Sequence, residues 1–212
     1  MRIMIVDDHE VVRLGFASLL RATSVYEVVA DASSVTQAYL ALQEAEAKHC
    51  LPDVLVTDLN LEGASGLELI GKVRERFPGI KILALSMHEN GALVQRAIDL
   101  GAHGYFCKSS KPSGLKEAIE IIAAGRTYID AAAQSALSAH QDAKQVFESL
   151  TRREFEVLRQ MIKGENYLSI GKTLNLSVKT IANHLSAIRG KLGVETDFQL
   201  IRRVDSLDLP LL

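Results

Sequence analysis

Short apolar runs alternate with segments of helical periodicity over the first 125 residues of the chain. The runs are Ile3–Val6, Val28–Ala30, Val54–Val56, Ile82–Leu85 and Tyr105–Cys107. Runs of this kind are typical of strands that are buried on both faces of a parallel sheet. The helical patterns between and after them are Val11–Leu20, Val35–Ala47, Leu67–Phe77, Ala92–Leu100 and Leu115–Ala123. Five alternations of strand and helix predict a doubly wound α/β domain with five parallel strands.

A different pattern follows residue 125. Residues 126–148 are rich in alanine and small polar residues, and residues 131–143 contain no glycine or proline. This composition predicts a partly helical linker, with Asp130 as a possible N-cap of the helix. We therefore expect a first domain over residues 1–125, a linker over 126–148 and a second domain over 149–212.

Helical signals dominate the second domain. Thr151 and Glu154 have the spacing of a capping box and precede a segment of helical periodicity. A short helix is predicted over Tyr167–Leu174, and a longer helix over Val178–Lys191 with Ser177 as its N-cap. Two helices joined by a short turn, in a small all-α domain, indicate a helix-turn-helix.

The longer helix has two distinct faces at about 100° per residue. Its apolar stripe consists of Ile181, Leu185, Ile188 and Leu192, and its polar face consists of Lys179, Asn183 and Ser186 with Ala182 beside them. A small, polar and basic face suits the major groove of DNA, where lysine bonds guanine or a phosphate and asparagine pairs with adenine. The residues expected to contact the DNA backbone are Thr180, His184, Arg152 and Arg153. The spacing also fits a solvated amphipathic helix in a small bundle, and periodicity alone leaves both interpretations open.

Composition and charge add two constraints. Apolar residues make up 48% of the chain and no apolar run approaches the roughly 18 residues of a membrane span. Asp7 and Asp8 come too early for a signal peptide, and two cysteines in apolar surroundings indicate a reduced chain, so we expect a cytoplasmic protein. Residues 1–148 hold 14 Lys/Arg and 19 Asp/Glu, whereas residues 149–204 hold 10 and 5, which favours a polyanionic partner for the second domain.

Polar side chains follow four of the predicted strands. Asp7 and Asp8 follow the first strand, and Asp58, Ser86 and Lys108 follow the third, fourth and fifth strands. Because the carboxyl ends of parallel strands meet at one edge of a sheet, we expect these groups to converge. Each residue taken singly has a simpler explanation, such as a helix cap, a loop acid or a surface lysine.

The predicted cluster has a specific chemistry. Three neighbouring carboxylates repel one another, and a divalent cation with oxygen ligands, most suitably Mg²⁺, relieves that repulsion. A carboxylate nucleophile, a metal and the ammonium of Lys108 together favour phosphoryl transfer.

These residues resemble the receiver domain of two-component response regulators. The resemblance rests on Val6-Asp7-Asp8-His9, Asp58-Leu59-Asn60, Ser86 and Gly104-Tyr105-Phe106-Cys107-Lys108, and it covers about residues 1–125. It implies a flavodoxin-like domain in which Asp58 accepts phosphate from a sensor histidine kinase. It further implies that Asp7 and Asp8 organise Mg²⁺ with the backbone carbonyl of Asn60, that Ser86 and Lys108 bond the phosphoryl group, and that Tyr105 switches between outward and inward positions. Leu61-Glu62 and Ser109 depart from the usual family pattern.

The second domain resembles the LuxR-type DNA-binding domain over about residues 149–204. The matching segments are Leu150-Thr151-Arg152-Arg153-Glu154, Lys179-Thr180-Ile181-Ala182-Asn183-His184-Leu185 and Lys191-Leu192-Gly193-Val194. Ala182 stands where the family frequently has lysine. Together the two resemblances imply the NarL/FixJ family, whose members usually act as dimers on near-palindromic operators.

We therefore expect a phosphorylation-controlled transcriptional regulator that is not itself an enzyme, apart from assisting its own phosphorylation and dephosphorylation. A second hypothesis is a Mg²⁺-dependent phosphotransferase or phosphatase of small metabolites, which would need a general acid near Asp58. Asn60 cannot supply that acid. A third hypothesis, a constitutive binder that is no longer phosphorylated, is disfavoured by the intact set of polar groups.

Overall fold

The computed structural model describes residues 1–22 and 24–205. Residues 206–212, which end the predicted second domain, lie outside the described residues. The chain divides between residues 137 and 138 into two compact units, which we call the N-terminal unit and the C-terminal unit. The division falls inside the predicted linker segment, residues 126–148.

The N-terminal unit is built on a sheet of six parallel strands. The chain's strands are β1 (Arg2–Val6), β2 (Glu27–Ala32), β3 (Val54–Asp58), β4 (Asn60–Leu61), β5 (Ala64–Ser65), β6 (Lys81–Ser86), β7 (Gly104–Cys107) and β8 (Tyr128–Ile129). The order across the sheet is β2-β1-β3-β6-β7-β8, and β4 and β5 form a separate antiparallel pair. The predicted α/β fold class is confirmed, with one strand more than expected.

Helices cover both faces of this sheet. They are α1 (Glu10–Arg21), α2 (Val35–Ala47), α3 (Gly66–Arg76), α4 (Gly91–Asp99) and α5 (Gly114–Ala123). Buried residues of α2, α3 and α4 form a core on one face, and those of α1 and α5 form a core on the other. Strand β1 shows why the apolar runs are continuous. Ile3 and Ile5 belong to one core, Met4 and Val6 belong to the other, and all four are buried.

Strand β8, the additional strand of the six-stranded sheet, lies in the segment predicted as a linker. Residues Tyr128 and Ile129 pair in parallel with Gly104 and Tyr105 of β7. A two-residue strand has no measurable period, so the apolar pattern gave no sign of it.

Helix α6 (Ala131–Glu148) begins after a single residue, Asp130, that follows β8. Its first turns contribute Ala133 and Leu137 to the core of the N-terminal unit, and its last turns contribute Ala143 and Phe147 to the core of the C-terminal unit. The segment predicted as a partly helical linker, residues 126–148, thus consists of strand β8 followed by helix α6.

The C-terminal unit continues with α7 (Arg152–Ile162), α8 (Tyr167–Leu174), α9 (Val178–Leu192) and α10 (Asp197–Asp205). Asn175, in the left-handed conformation, ends α8 and turns the chain into α9. A Cβ at Gly171 would lie 2.7 Å from the Leu176 carbonyl oxygen, so glycine permits the close packing of α8 against the turn.

Among the described residues, no helix is both long and apolar enough to cross a membrane.

A capping box begins α7, as the sequence predicts. The Thr151 side chain accepts from the Glu154 amide at 3.3 Å, and a Glu154 oxygen accepts from the Thr151 amide at 2.7 Å. Lys191 of α9 adds an ion pair to the same carboxylate at 2.8 Å. The cap therefore also ties α7 to the end of α9.

The Glu154 contacts predict a pH-dependent stability. The hydrogen bond from Lys191 is the largest cause that lowers the pKa of Glu154 from 4.5 to about 2. Folding thus favours the ionised form, and this contribution is present above pH 4.5 and is lost as the pH falls toward 2. We expect the free energy of unfolding to fall more over this window in the unmodified chain than in Glu154→Gln, measured by urea unfolding with circular dichroism. An equal fall in both proteins would contradict this.

Candidate functional site

Four neighbouring strands bring the predicted site residues to one edge of the sheet. Asp7 directly follows β1, Asp58 ends β3, Ser86 ends β6 and Lys108 directly follows β7. These strands are adjacent in the order β1-β3-β6-β7 and run parallel, so their carboxyl ends coincide. We call this edge, with Asp8, the acidic rim.

Lys108 connects two of the carboxylates. Its Nζ lies 2.5 Å from Asp7 Oδ2 and 2.6 Å from Asp58 Oδ2. The side chains of all three residues are less than a tenth exposed. Burial lowers the pKa of Lys108, but the hydrogen bonds to Asp58 and Asp7 outweigh burial and raise the pKa above its ordinary value. Lys108 is therefore a cation held between two buried acids.

Asp8 lies beside this pair and has other partners. Its Oδ1 is 2.7 Å from His9 Nδ1, and its Oδ2 accepts from the Glu62 amide at 3.2 Å. One possible ligand atom from each of Asp7, Asp8, His9 and Asp58 lies within 4.8 Å of the others. Three carboxylates at this spacing fit a hard divalent cation such as Mg²⁺, whereas the imidazole of His9 is not a ligand that Mg²⁺ prefers.

The loop after Asp58 packs closely over its backbone. Asp58 Oδ1 accepts from the Asn60 amide at 3.1 Å. A Cβ at Gly66 would lie 1.9 Å from the Asp58 carbonyl oxygen, so only glycine fits there. Leu61, one of the departures from the family pattern, is buried in a core of the N-terminal unit. Its neighbour Glu62 places its amide on Asp8.

Ser86 and Tyr105 meet at the backbone of His88. Ser86 Oγ accepts from the His88 amide at 3.0 Å, and the Tyr105 hydroxyl donates to the His88 carbonyl at 2.8 Å. Both side chains are fully buried, so Tyr105 occupies an inward position in this structure. Burial is the main cause that raises the pKa of Tyr105 to about 12. A movement of Ser86 would therefore change the position of the His88 backbone, to which the Tyr105 hydroxyl is hydrogen-bonded.

Sequence reasoning missed two contacts of the rim and its loops. His9 belongs to the carboxylate cluster, and its direct succession to Asp8 was the available signal. Asp130 caps α6, as the sequence predicts, and it also accepts from the Cys107 amide at the end of β7, a contact that its position in the chain could not indicate.

The face of α9 predicted to meet DNA is open to solvent. Lys179, Asn183 and Ser186 are exposed, Thr180, Ala182 and His184 are half-buried, and Ile181, Leu185, Ile188 and Leu192 are buried. Thr180 lies in the first turn, with its hydroxyl 2.8 Å from Ser177 Oγ of the N-cap. The polar face is thus a preformed surface on a helix held by four buried anchors.

Arg152 and Arg153 stand at the start of α7 and are exposed. Both pair with Glu156, at 3.2 Å and 2.6 Å, and Arg153 also donates to the Leu174 carbonyl at 3.3 Å. Their charge is therefore partly neutralised within the C-terminal unit, which makes them weaker candidates for phosphate contacts than Lys179.

Two family descriptions match this chain. Residues 3–120 match “Response regulator receiver domain”, and residues 148–204 match “Bacterial regulatory proteins, luxR family”. The “Transcriptional activator protein ExaE” of Pseudomonas putida is 34% identical over 206 residues, covering 95% of this chain and 94% of that protein. The “Oxygen regulatory protein NreC” of Staphylococcus aureus is 35% identical over 211 residues, covering 95% of each chain.

Solved structures of RcsB share the architecture. A structure of the RcsB response regulator from Salmonella typhimurium covers 97% of this chain and 99% of that chain, with a TM-score of 0.78 and 28% identity. A structure of an RcsB–DNA complex covers 98% of each chain, with a TM-score of 0.69 and 28% identity.

The charge balance of the acidic rim predicts that repulsion among its carboxylates lowers the free energy of unfolding of the metal-free protein. Lys108 supplies one positive charge against three carboxylates, and Asp8 is the one it does not contact. In metal-free buffer we expect Asp8→Asn to raise the free energy of unfolding by about 1 kcal/mol, because it relieves repulsion. Urea unfolding in a chelator measures this, with exposed Glu75→Gln as the control. A loss of stability in Asp8→Asn would contradict this prediction, since the contacts of Asp8 with His9 and the Glu62 amide would then outweigh the repulsion.

Proposed function

Because this chain belongs to the NarL/FixJ family of response regulators, which join a receiver domain to a LuxR-family DNA-binding domain, we propose that Asp58 accepts a phosphoryl group from a sensor histidine kinase. The observation that carries the proposal is the contact of Lys108 with both Asp7 and Asp58. In the unphosphorylated protein, the ammonium of Lys108 offsets part of the negative charge of these carboxylates. It also lies close enough to Asp58 to pair with a phosphoryl group formed there.

In the proposed step, a carboxylate oxygen of Asp58 attacks the phosphorus of a phosphohistidine on the kinase. The phosphorus–nitrogen bond breaks, its electron pair stays on the histidine nitrogen, and an acyl phosphate forms on Asp58. The ammonium of Lys108 pairs with a phosphoryl oxygen, which is favourable because the site is shielded from water.

The rim also fits Mg²⁺ as a resident cofactor. The side chains of Asp7, Asp8 and Asp58 would hold the ion, together with the backbone carbonyl of Asn60. When bound, the ion neutralises charge that develops on the transferred phosphoryl oxygens. Each oxygen of Asp8 has one such contact, Oδ1 with His9 and Oδ2 with the Glu62 amide, which leaves a lone pair on each oxygen for the ion.

The acyl phosphate would act as a switch through Ser86 and Tyr105. The Ser86 hydroxyl would turn from the His88 amide to a phosphoryl oxygen, which withdraws one support of the segment that Tyr105 bonds. Tyr105 is already inward in this structure, so the change would reach it through the His88 carbonyl that its hydroxyl bonds and would repack the surface of β7 and α4. We propose that this change promotes dimer formation and DNA binding.

The C-terminal unit would bind double-stranded DNA through α9. Lys179, Ala182, Asn183 and Ser186 would face the major groove, and Thr180, His184, Arg152 and Arg153 would lie near the DNA backbone. A dimer with two-fold symmetry would select a near-palindromic operator. The structure of RcsB with DNA supports this role by likeness of the whole chain. The protein would act in the cytoplasm, where a bacterial chromosome is accessible to it.

A metabolite phosphatase is the less favoured function. Such an enzyme needs a proton donor for the leaving alcohol near Asp58. The nearest candidate along the chain, Asn60, is an amide whose backbone N–H bonds the Asp58 carboxylate. The two family matches, to a receiver domain and to a DNA-binding domain, further favour the regulator over the phosphatase.

Substitution of Asp58, the proposed phosphate acceptor, tests this function directly. Asp58→Asn should abolish the mass increase and the hydroxylamine-sensitive acyl phosphate that acetyl phosphate and Mg²⁺ produce, because an amide is a poor nucleophile. Asp31→Asn is a matched control, since Asp31 lies near the carboxyl end of β2 but is exposed and pairs with Arg13. Undiminished phosphorylation of Asp58→Asn would overturn the assignment.

The second prediction separates base contacts from phosphate contacts on α9. Asn183→Ala should cost about 1–3 kcal/mol of binding to the preferred operator and relax selection at one base pair. Lys179→Ala should weaken binding to all sequences and reduce the salt slope by about 1 if its contact is to a phosphate. Selection from random DNA with salt titrations measures both effects, with exposed Lys144→Ala of α6 as the control. Wild-type selectivity in Asn183→Ala would remove this residue from base recognition.

A further inference from the structure

Asp130 is a buried carboxylate in the turn between β8 and α6. Only 5% of the residue is exposed. Its Oδ1 accepts from the Ala133 amide at 2.9 Å, which caps the first turn of α6. Its Oδ2 accepts from the Cys107 amide, and from the Ser110 hydroxyl at 3.2 Å. One side chain therefore joins the start of a helix to the end of a strand more than twenty residues away.

The partners of Asp130 flank Lys108 along the chain. Cys107 precedes it and Ser110 follows it by two residues. The Lys108 amide itself donates to the Ser86 carbonyl at 2.7 Å. The loop that carries the rim's ammonium is thus held on one side by β6 and on the other by Asp130. Hydrogen bonds to a buried carboxylate are among the stronger ones in proteins, so the loop and the carboxylate move together.

The other side of Asp130 is the start of α6. The Gln134 amide donates to the Asp130 carbonyl at 2.8 Å, and the Asp130 amide donates to the Tyr105 carbonyl at 3.1 Å. Helix α6 continues to Glu148, where its last turns join the core of the C-terminal unit. A change at the Asp130 cap therefore acts on the helix that connects the two units.

We propose that Asp130 is a positioning residue that couples the Lys108 loop to the first turn of α6. The role of this coupling in signalling rests on the proposed phosphorylation of Asp58. When Lys108 shifts from Asp7 and Asp58 to a phosphoryl oxygen, its loop moves the Cys107 amide and the Ser110 hydroxyl. Asp130 must then adjust, and its adjustment alters the cap of α6.

The coupling is testable without phosphorylation, by a double-mutant cycle read by amide hydrogen exchange on the full chain. Lys108→Met releases the loop from the rim, and we expect exchange of the Ala133 and Gln134 amides to rise roughly fivefold. Asp130→Asn keeps an N-cap, but its amide cannot accept from both sides at once. In Asp130→Asn, Lys108→Met should leave these exchange rates unchanged.

Controls separate coupling from general loosening. The Gln37 amide, which is capped by Ser34 in the first turn of α2, should exchange equally in all proteins. Ser110→Ala, which removes one of the two loop contacts, is a second variant should Asp130→Asn fail to fold, and it should reduce the effect of Lys108→Met. Equal effects of Lys108→Met with and without these substitutions would overturn the proposal.

Acetyl phosphate then tests the coupling during signalling. In the unmodified chain, phosphorylation should change exchange at the first turn of α6, and Asp130→Asn should be phosphorylated without that change. An acyl phosphate on Asp58 that leaves α6 unchanged in the unmodified chain would overturn the coupling alone. Failure to form the acyl phosphate would overturn the proposed function. The Lys108→Met double-mutant cycle would still test whether the Lys108 loop is coupled to the first turn of α6.

Discussion

The placement of Lys108 between the carboxylates of Asp7 and Asp58 is the interaction on which the N-terminal unit's chemistry depends. The three residues lie at or directly after the ends of different strands, and their convergence requires the parallel order β1-β3-β6-β7. Like charges this close are unfavourable unless a cation lies among them. The site therefore holds a charge imbalance that a bound metal or phosphoryl group would change.

The same principle of a few buried polar anchors organises the C-terminal unit. Glu154 caps α7 and pairs with Lys191, which fixes the end of α9 relative to α7. Asn175 and Gly171 allow the sharp turn between α8 and α9. With four apolar residues of α9 buried, its small polar face is held open to solvent.

Much of this was predictable from sequence, because it rests on periodicity and on the ends of strands. The five longer strands and the capping box at Thr151 are local patterns, and the rim follows from them since parallel strands share an edge. Other features depend on contacts that no local pattern encodes. Strand β8 is too short to show a period, and α10 lies beyond the motif that identifies the helix-turn-helix. The pairing of Arg152 and Arg153 with Glu156, by contrast, has the i,i+4 and i,i+3 spacing of helical ion pairs and is visible in the sequence. The bond from Asp130 to Cys107 depends on the position of β8 beside β7.

The most direct test of the central claim is a crystal structure of the chain grown with Mg²⁺ and beryllofluoride, a mimic of the phosphoryl group. Beryllium should be bonded to a carboxylate oxygen of Asp58, with Lys108 Nζ within about 3.2 Å of a fluorine. The Mg²⁺ ion should be bound to the carboxylate of Asp8. Beryllofluoride absent from Asp58, or a Lys108 side chain turned away from it into solvent, would contradict the role assigned to the acidic rim.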